Sequence, residues 1–282
     1  MTMPGSLLLV GGGRMGKALL DGWLERGLPR ASTVVIEPDA ERAAALAERG
    51  VEVHPEIFAL PEGFDPRVLV LAVKPQVMAD VLDELHARLV QPALVVSIAA
   101  GKPLAVFEAA FGSDIPIVRV MPNTPAAIGR GISALFANAA TGPTDRAAAE
   151  DLMAAVGDTV WLESEDDMHA VTALSGGGPA YVFLLVEAMA VAGERLGLES
   201  ELAMRLARTT VAGAAALMES SDTTPASLRL AVTSPGGTTR AALDILMPTG
   251  DDADDDEEEP MGLAELMTEA LAAAAERSRE LG

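Results

Sequence analysis

Six residues near the start, Gly11-Gly12-Gly13-Arg14-Met15-Gly16, restrict the possible folds of this chain more than any other feature. They fit G-x-G-x-x-G, follow the apolar run Leu7–Val10 and open the helical pattern Arg14–Arg26. Between a strand and a helix, the first glycine permits a tight turn and the second lets backbone N–H groups approach a pyrophosphate. The third lets the helix pack on the strand. The helix N-terminus then stabilises the negative charge. A structural Gly-rich turn is the plainer alternative.

The segments that follow support the binding reading. Thr33–Glu37, Val68–Val73, Leu94–Ala99 and Ile117–Val120 read as short apolar strands, and Ala40–Arg49 and Val77–Leu89 as helices between them. Continuous apolar strands alternating with helices predict a parallel sheet covered on both faces. The fold class is therefore α/β, a Rossmann-type doubly wound sheet. Pairing of Ser133–Ala137 with Val160–Leu162 would complete it. After Glu163 the pattern turns all-α. Ala180–Leu196, Glu201–Glu219 and Leu263–Leu281 are long Ala- and Leu-rich helices, and Gly193, Gly197 and Gly213 suggest close helix contacts. Helices this apolar must bury more than one stripe, which predicts an oligomerisation domain. The division falls at residues 1–163 and 164–282.

Composition narrows the function. With only nine aromatic residues the cores must be aliphatic, and the absence of cysteine excludes thiolate metal sites, iron–sulfur clusters and cysteine nucleophiles. No metal site is expected. The formal charge of −22 argues against nucleic acid, which is gripped by clustered Lys and Arg. Eight of the nine residues Asp251–Glu259 are carboxylates. They read as a solvated loop, since the run lacks the glycine turn of a calcium site. The first ten residues lack a basic signal-peptide region, and the apolar stretch Ala180–Gly193 falls short of the ~20 residues of a membrane span. A cytoplasmic protein without a membrane partner is expected.

Candidate site residues follow from the fold. Glu37 ends the second strand, where an acid accepts hydrogen bonds from a ribose 2′-OH and repels a 2′-phosphate. That leans toward NADH, although Arg42 could pair a phosphate. Ala72-Val73-Lys74-Pro75 and Ala99-Ala100-Gly101 end two further strands, where ligands lie in open α/β sheets. In the helical half, Ser175-Gly176-Gly177-Gly178-Pro179-Ala180-Tyr181 and Val232-Thr233-Ser234-Pro235-Gly236-Gly237-Thr238-Thr239 each precede a helix. Both can offer backbone N–H groups and hydroxyls to a carboxylate, or merely cap the helix.

These pieces, together with Val95–Gly101, Met121-Pro122-Asn123-Thr124-Pro125 and Ala170–Gly176, carry a resemblance. Over nearly its whole length the chain resembles pyrroline-5-carboxylate reductase. The resemblance implies NADPH or NADH reduction of 1-pyrroline-5-carboxylate to L-proline, the last step of proline biosynthesis. It implies a homodimer through the C-terminal helices, with dimers assembling into rings. Cofactor contacts would come from Gly11, Gly12, Gly13, Arg14, Met15, Gly16, Glu37, Ala72, Val73, Lys74, Pro75, Ala99, Ala100, Gly101 and Asn123. Substrate contacts would come from Asp222, Ser234, Gly236, Gly237, Thr238 and Thr239, with Thr239 near the imine nitrogen as the catalytic residue. Ala231 and Ile57 stand where the family often has polar residues, and Asp251–Glu259 looks like an insertion.

The residue inventory agrees with this chemistry. No lysine follows Lys102, so the lysine acid/base of a β-hydroxyacid dehydrogenase is missing from the helical half. His169 and Tyr181 read as structural residues. A cyclic imine arrives protonated and needs orientation more than a proton donor, which suits a site of hydroxyls and N–H groups. A non-catalytic cofactor sensor with the same fold is the other reading.

Overall fold

The computed structural model describes residues 5–89, 92–248 and 261–281. The run Asp251–Glu259 lies outside them. Two compact units divide the chain: Met1–Pro179 with Ala274–Gly282, and Ala180–Ala273.

The first unit is built on eight strands: β1 (Leu7–Val10), β2 (Thr33–Ile36), β3 (Glu52–His54), β4 (Val68–Leu71), β5 (Leu94–Ser97), β6 (Ile117–Met121), β7 (Gly131–Ala137) and β8 (Gly157–Trp161). Their order is β3-β2-β1-β4-β5-β6-β7-β8. Every residue of β1, β2, β4 and β5 is buried. The two faces alternate as strand geometry requires. Leu7 and Leu9 join one core, under α1 (Arg14–Glu25) and α5 (Pro143–Ala154), while Leu8 and Val10 join the other. That second core lies under α3 (Met78–Arg88) and α4 (Leu104–Phe111). Each fully buried Leu, Val or Phe contributes about 1.5–3 kcal/mol. In α1, Trp23 is buried and its Nε1–H donates to the carbonyl of Leu152 in α5 at 2.8 Å.

The sheet departs from the expected parallel pattern at one place. β7 pairs with β6 antiparallel, Val120 opposite Leu135, and with β8 parallel, Leu135 opposite Trp161. Only a 3-10 turn, Thr124–Ile128, separates β6 from β7, too short for a crossover helix. Strand β3 and helices α4 and α5 carry no strong periodic signal in the sequence; β3 is a three-residue, partly exposed edge.

After β8, α6 (Asp167–Val171) leads through a π-helical turn, Thr172–Gly176, into α7 (Gly178–Arg195). In the π turn the Gly177 N–H donates to the Thr172 carbonyl, and the Thr172 and Ser175 hydroxyls donate to Met168 and Val171 carbonyls. Residues 164–179 group with the sheet because Met168 is buried there and Glu165 bonds Arg119. Asp167–Arg195 thus forms one helical run of 29 residues, and an 18-residue window within it reaches a mean hydropathy of 1.4, long and apolar enough by those measures to cross a membrane. The sequence reading of Ala180–Gly193 as too short missed this length, because the π turn continues the helix through the glycines.

The second unit holds the rest of α7, α8 (Ser200–Glu219), α9 (Pro225–Ala231), α10 (Thr238–Leu246) and most of α11 (Leu263–Glu280). A Cβ on Gly193 would come within 3.2 Å of the Ala203 Cβ, so glycine sets the approach of α7 to α8. Phe183, Leu184, Leu206 and Ile245 are exposed.

Candidate active site

The glycine loop sits between the carboxyl ends of β1 and β4, where the strand order reverses. Gly11 has φ +104, and a Cβ there would lie 2.7 Å from the Ala72 carbonyl oxygen. A Cβ on Gly16 would lie 2.0 Å from the Gly11 carbonyl oxygen. These two glycines are therefore required by packing. Gly13 is different: a Cβ there meets nothing within 4 Å, and no side chain caps α1 behind it. The start of α1 thus combines an open approach with first-turn N–H groups that point out of the helix end, the arrangement that takes a pyrophosphate. The residues fit a dinucleotide. Arg14 is exposed on this turn, and Met15 packs against the core.

Glu37 follows β2 and is 2% exposed. Its carboxylate accepts the Gly12 N–H at 2.8 Å, the Asp39 N–H at 2.9 Å and an Arg42 guanidinium N–H at 2.8 Å. It therefore grips the glycine loop. Leu46 backs this contact: its Cδ1 lies 2.3 Å from where a Gly12 Cβ would stand. Leu46 was not legible as a site residue, since nothing local distinguishes it from any other core leucine. Ile57 is buried in the core, so its apolar character is explained by packing. Beneath the loop, Lys17 and Arg49 both bond Asp21 of α1. Burial pushes the Asp21 carboxyl up, but the Arg49 and Lys17 hydrogen bonds and charges outweigh it and hold the group below its ordinary range.

Ala72-Val73-Lys74-Pro75 leaves β4 beside Gly11, with Ala72 N–H donating to the Val10 carbonyl at 2.8 Å. Lys74 is exposed and Pro75 opens a 3-10 turn. Ala99-Ala100-Gly101 leaves the neighbouring β5; Ala99 and Gly101 are buried and Gly101 has φ +76. Asn123 follows β6, and its Oδ1 accepts the Ile132 N–H at 3.0 Å, holding the turn into β7. The cofactor residues expected from the sequence thus gather at the carboxyl ends of β1, β2, β4, β5 and β6.

The expected substrate residues belong to the helical unit. Ser234 to Gly237 form a turn, closed by the Gly237 N–H donating to the Ser234 carbonyl at 3.1 Å. Gly236 takes φ +69, which favours glycine, and a Cβ on Gly237 would crowd Ser234 Oγ at 2.5 Å. Gly237 stands before α10 with no side-chain cap, and Thr238 and Thr239 occupy the first turn, exposed. The first-turn N–H groups of α10 have no side-chain cap, and two hydroxyl-bearing residues stand beside them. Asp222 is exposed in the bend between α8 and α9, where the Thr223 N–H donates to Ser221 Oγ.

Comparison with known proteins covers both units of the chain. Residues 165–281 match the family model described as pyrroline-5-carboxylate reductase dimerisation, and residues 6–101 match NADP oxidoreductase coenzyme F420-dependent. The solved structure of a pyrroline-5-carboxylate reductase from Coxiella burnetii superposes with a TM-score of 0.86 at 35% identity, covering 99% of this chain and 98% of that one. A Plasmodium falciparum pyrroline carboxylate reductase with NADP bound gives 0.79 at 28% identity, with full coverage of both chains. The Pseudomonas aeruginosa pyrroline-5-carboxylate reductase is 43% identical over 100% of this chain and 98% of its own length. On that full-length identity, the chain belongs to the pyrroline-5-carboxylate reductase family.

Proposed function

We infer that this protein reduces 1-pyrroline-5-carboxylate to L-proline with a reduced nicotinamide dinucleotide. The observation that carries the reading is the Ser234–Thr239 turn at the open N-terminus of α10, in a chain whose β1–α1 loop fits a pyrophosphate. The nicotinamide, when bound, supplies the hydride for the C=N carbon. The chain's own part is binding and orientation. The first N–H groups of α10, with Ser234 and Thr238, hold the carboxylate, and Gly236 and Gly237 keep that surface close. Thr239 directs its hydroxyl at the ring nitrogen and fixes which face of the iminium meets the hydride. The nitrogen brings its own proton, so no titrating side chain is required, and orientation supplies several kcal/mol of the barrier reduction. Asp222 helps to close the same pocket.

NADH is the favoured cofactor in this proposal, because the Glu37 carboxylate stands where a 2′-phosphate would meet negative charge. Arg42 supports the opposite preference: its side chain is 53% exposed and could turn to a phosphate. The exposed apolar side chains of α7, α8 and α10 are read as the contact of a homodimer, with dimers able to form a ring, in the cytoplasm. The length of Asp167–Arg195 is then spent against a second subunit rather than lipid, and residues 164–282 serve as the substrate and dimerisation domain.

Turnover of 1-pyrroline-5-carboxylate, followed by loss of reduced-nicotinamide absorbance, tests the reading. Proline formation is expected with both cofactors, at a higher kcat/KM with NADH. Cofactor binding without turnover would instead make this a sensor.

A further inference from the structure

We propose that the last turn of α11 positions the loop between β5 and α4, with Ser278 and the Leu281 backbone as positioning groups for cofactor binding. This rests on the reading of Ala99-Ala100-Gly101 as a cofactor loop. Three contacts within the first unit converge on it. On one side, Glu165 Oε1 accepts the Leu104 N–H, the first of α4, at 2.7 Å. The same oxygen accepts from the buried Arg119 guanidinium at 2.9 Å, which ties it to β6. On the other side lies Leu281. A Cβ on Gly101 would stand 3.2 Å from the Leu281 carbonyl oxygen and 3.3 Å from its Cβ. Glycine at 101 thus serves two needs at once, a left-handed φ of +76 and the close approach of another backbone.

What holds Leu281 there is Ser278. It is 5% exposed, and its hydroxyl shares a 3.0 Å hydrogen bond with His169 Nδ1. His169 lies on α6, one turn beyond Glu165. One short stretch therefore fixes both the start of α4 and the end of α11, and the loop from Ile98 to Pro103 is bracketed between them. Neither Ser278 nor Leu281 belongs to the two hydrophobic cores, and the Leu281 side chain is exposed. Their contact shapes the loop more than it supports the fold. A loop that touches a bound ring must be held closely, since small displacements are costly in binding and rate.

The test uses the full-length enzyme, Ser278→Ala, Ser278→Thr and a chain ended after Arg277. NADH and NADPH dissociation constants are measured by calorimetry without substrate, and kcat and both KM values in turnover. Ser278→Ala should weaken cofactor binding about five-fold, the worth of one hydrogen bond. The shortened chain should weaken it about ten-fold, with kcat and imine KM held within about two-fold. Ser278→Thr should restore binding. Unchanged cofactor affinity in Ser278→Ala and in the shortened chain overturns the proposal. So does a parallel fall of thermal midpoint, kcat and both affinities, which would make the turn structural only. Wild-type enzyme that binds cofactor but does not reduce the imine counts against the activity and leaves this proposal standing.

Discussion

The two units use hydrophobic residues in opposite ways. In the sheet unit Trp23, Phe107 and the leucines of β1 are fully buried by the chain itself. In the helical unit the buried hydrophobic side chains among the described residues are Ala190, Ala203 and Ala207. Phe183 and Leu184 remain 61% and 63% exposed. A parallel sheet is covered by its own crossover helices, so one chain completes its core. Helices apolar on several sides cannot be satisfied by so few neighbours. The first unit covers its own core, and the second leaves its large apolar side chains uncovered.

Breaking the second unit should have the largest effect. Phe183→Asp removes about 1.5–3 kcal/mol of burial per copy, counted twice across a two-fold contact, and adds a charge. Sedimentation should show monomers and turnover should vanish, while calorimetry still detects cofactor binding in the sheet unit. A variant that stays dimeric would mean that α7 does not face a partner. Thr239→Val comes next. Loss of the hydroxyl is expected to lower kcat/KM about 100-fold, with cofactor affinity unchanged. Wild-type kcat/KM would remove Thr239 from the mechanism.

The smallest effect lies in the sheet unit. The folded-state pKa of Asp21 is depressed, so its stabilisation is present above the ordinary carboxylate range and lost as pH falls through the folded value. Asp21→Asn should cost about 1 kcal/mol or less at neutral pH, because the group is partly exposed and screened by solvent. Denaturation of wild type and variant should converge on acidification. A gap that persists in strong acid would show that packing, not charge, is lost.

How much was legible varied with the range of the interaction. The loop Gly11–Gly16 and its strand and helix follow from neighbouring residues, as does the turn Ser234–Thr239 before α10. Glu37 was legible as an acid at a strand end, yet not as a clamp on Gly12, because that needs β1 and β2 side by side. The length of the helical run Asp167–Arg195 was hidden by glycines that usually end helices.

By itself, then, the sequence determined the strand–glycine–helix unit and the all-α second half through local periodicity and backbone freedom, and the family through the resemblance of its motifs. Tertiary structure alone decided the direction of β7, the grip of Glu37 and the seating of Leu281 on Gly101. The physical reason is that strand orientation and contacts between distant residues are set by competition for burial and hydrogen bonds across the whole unit. No short window of residues contains that competition.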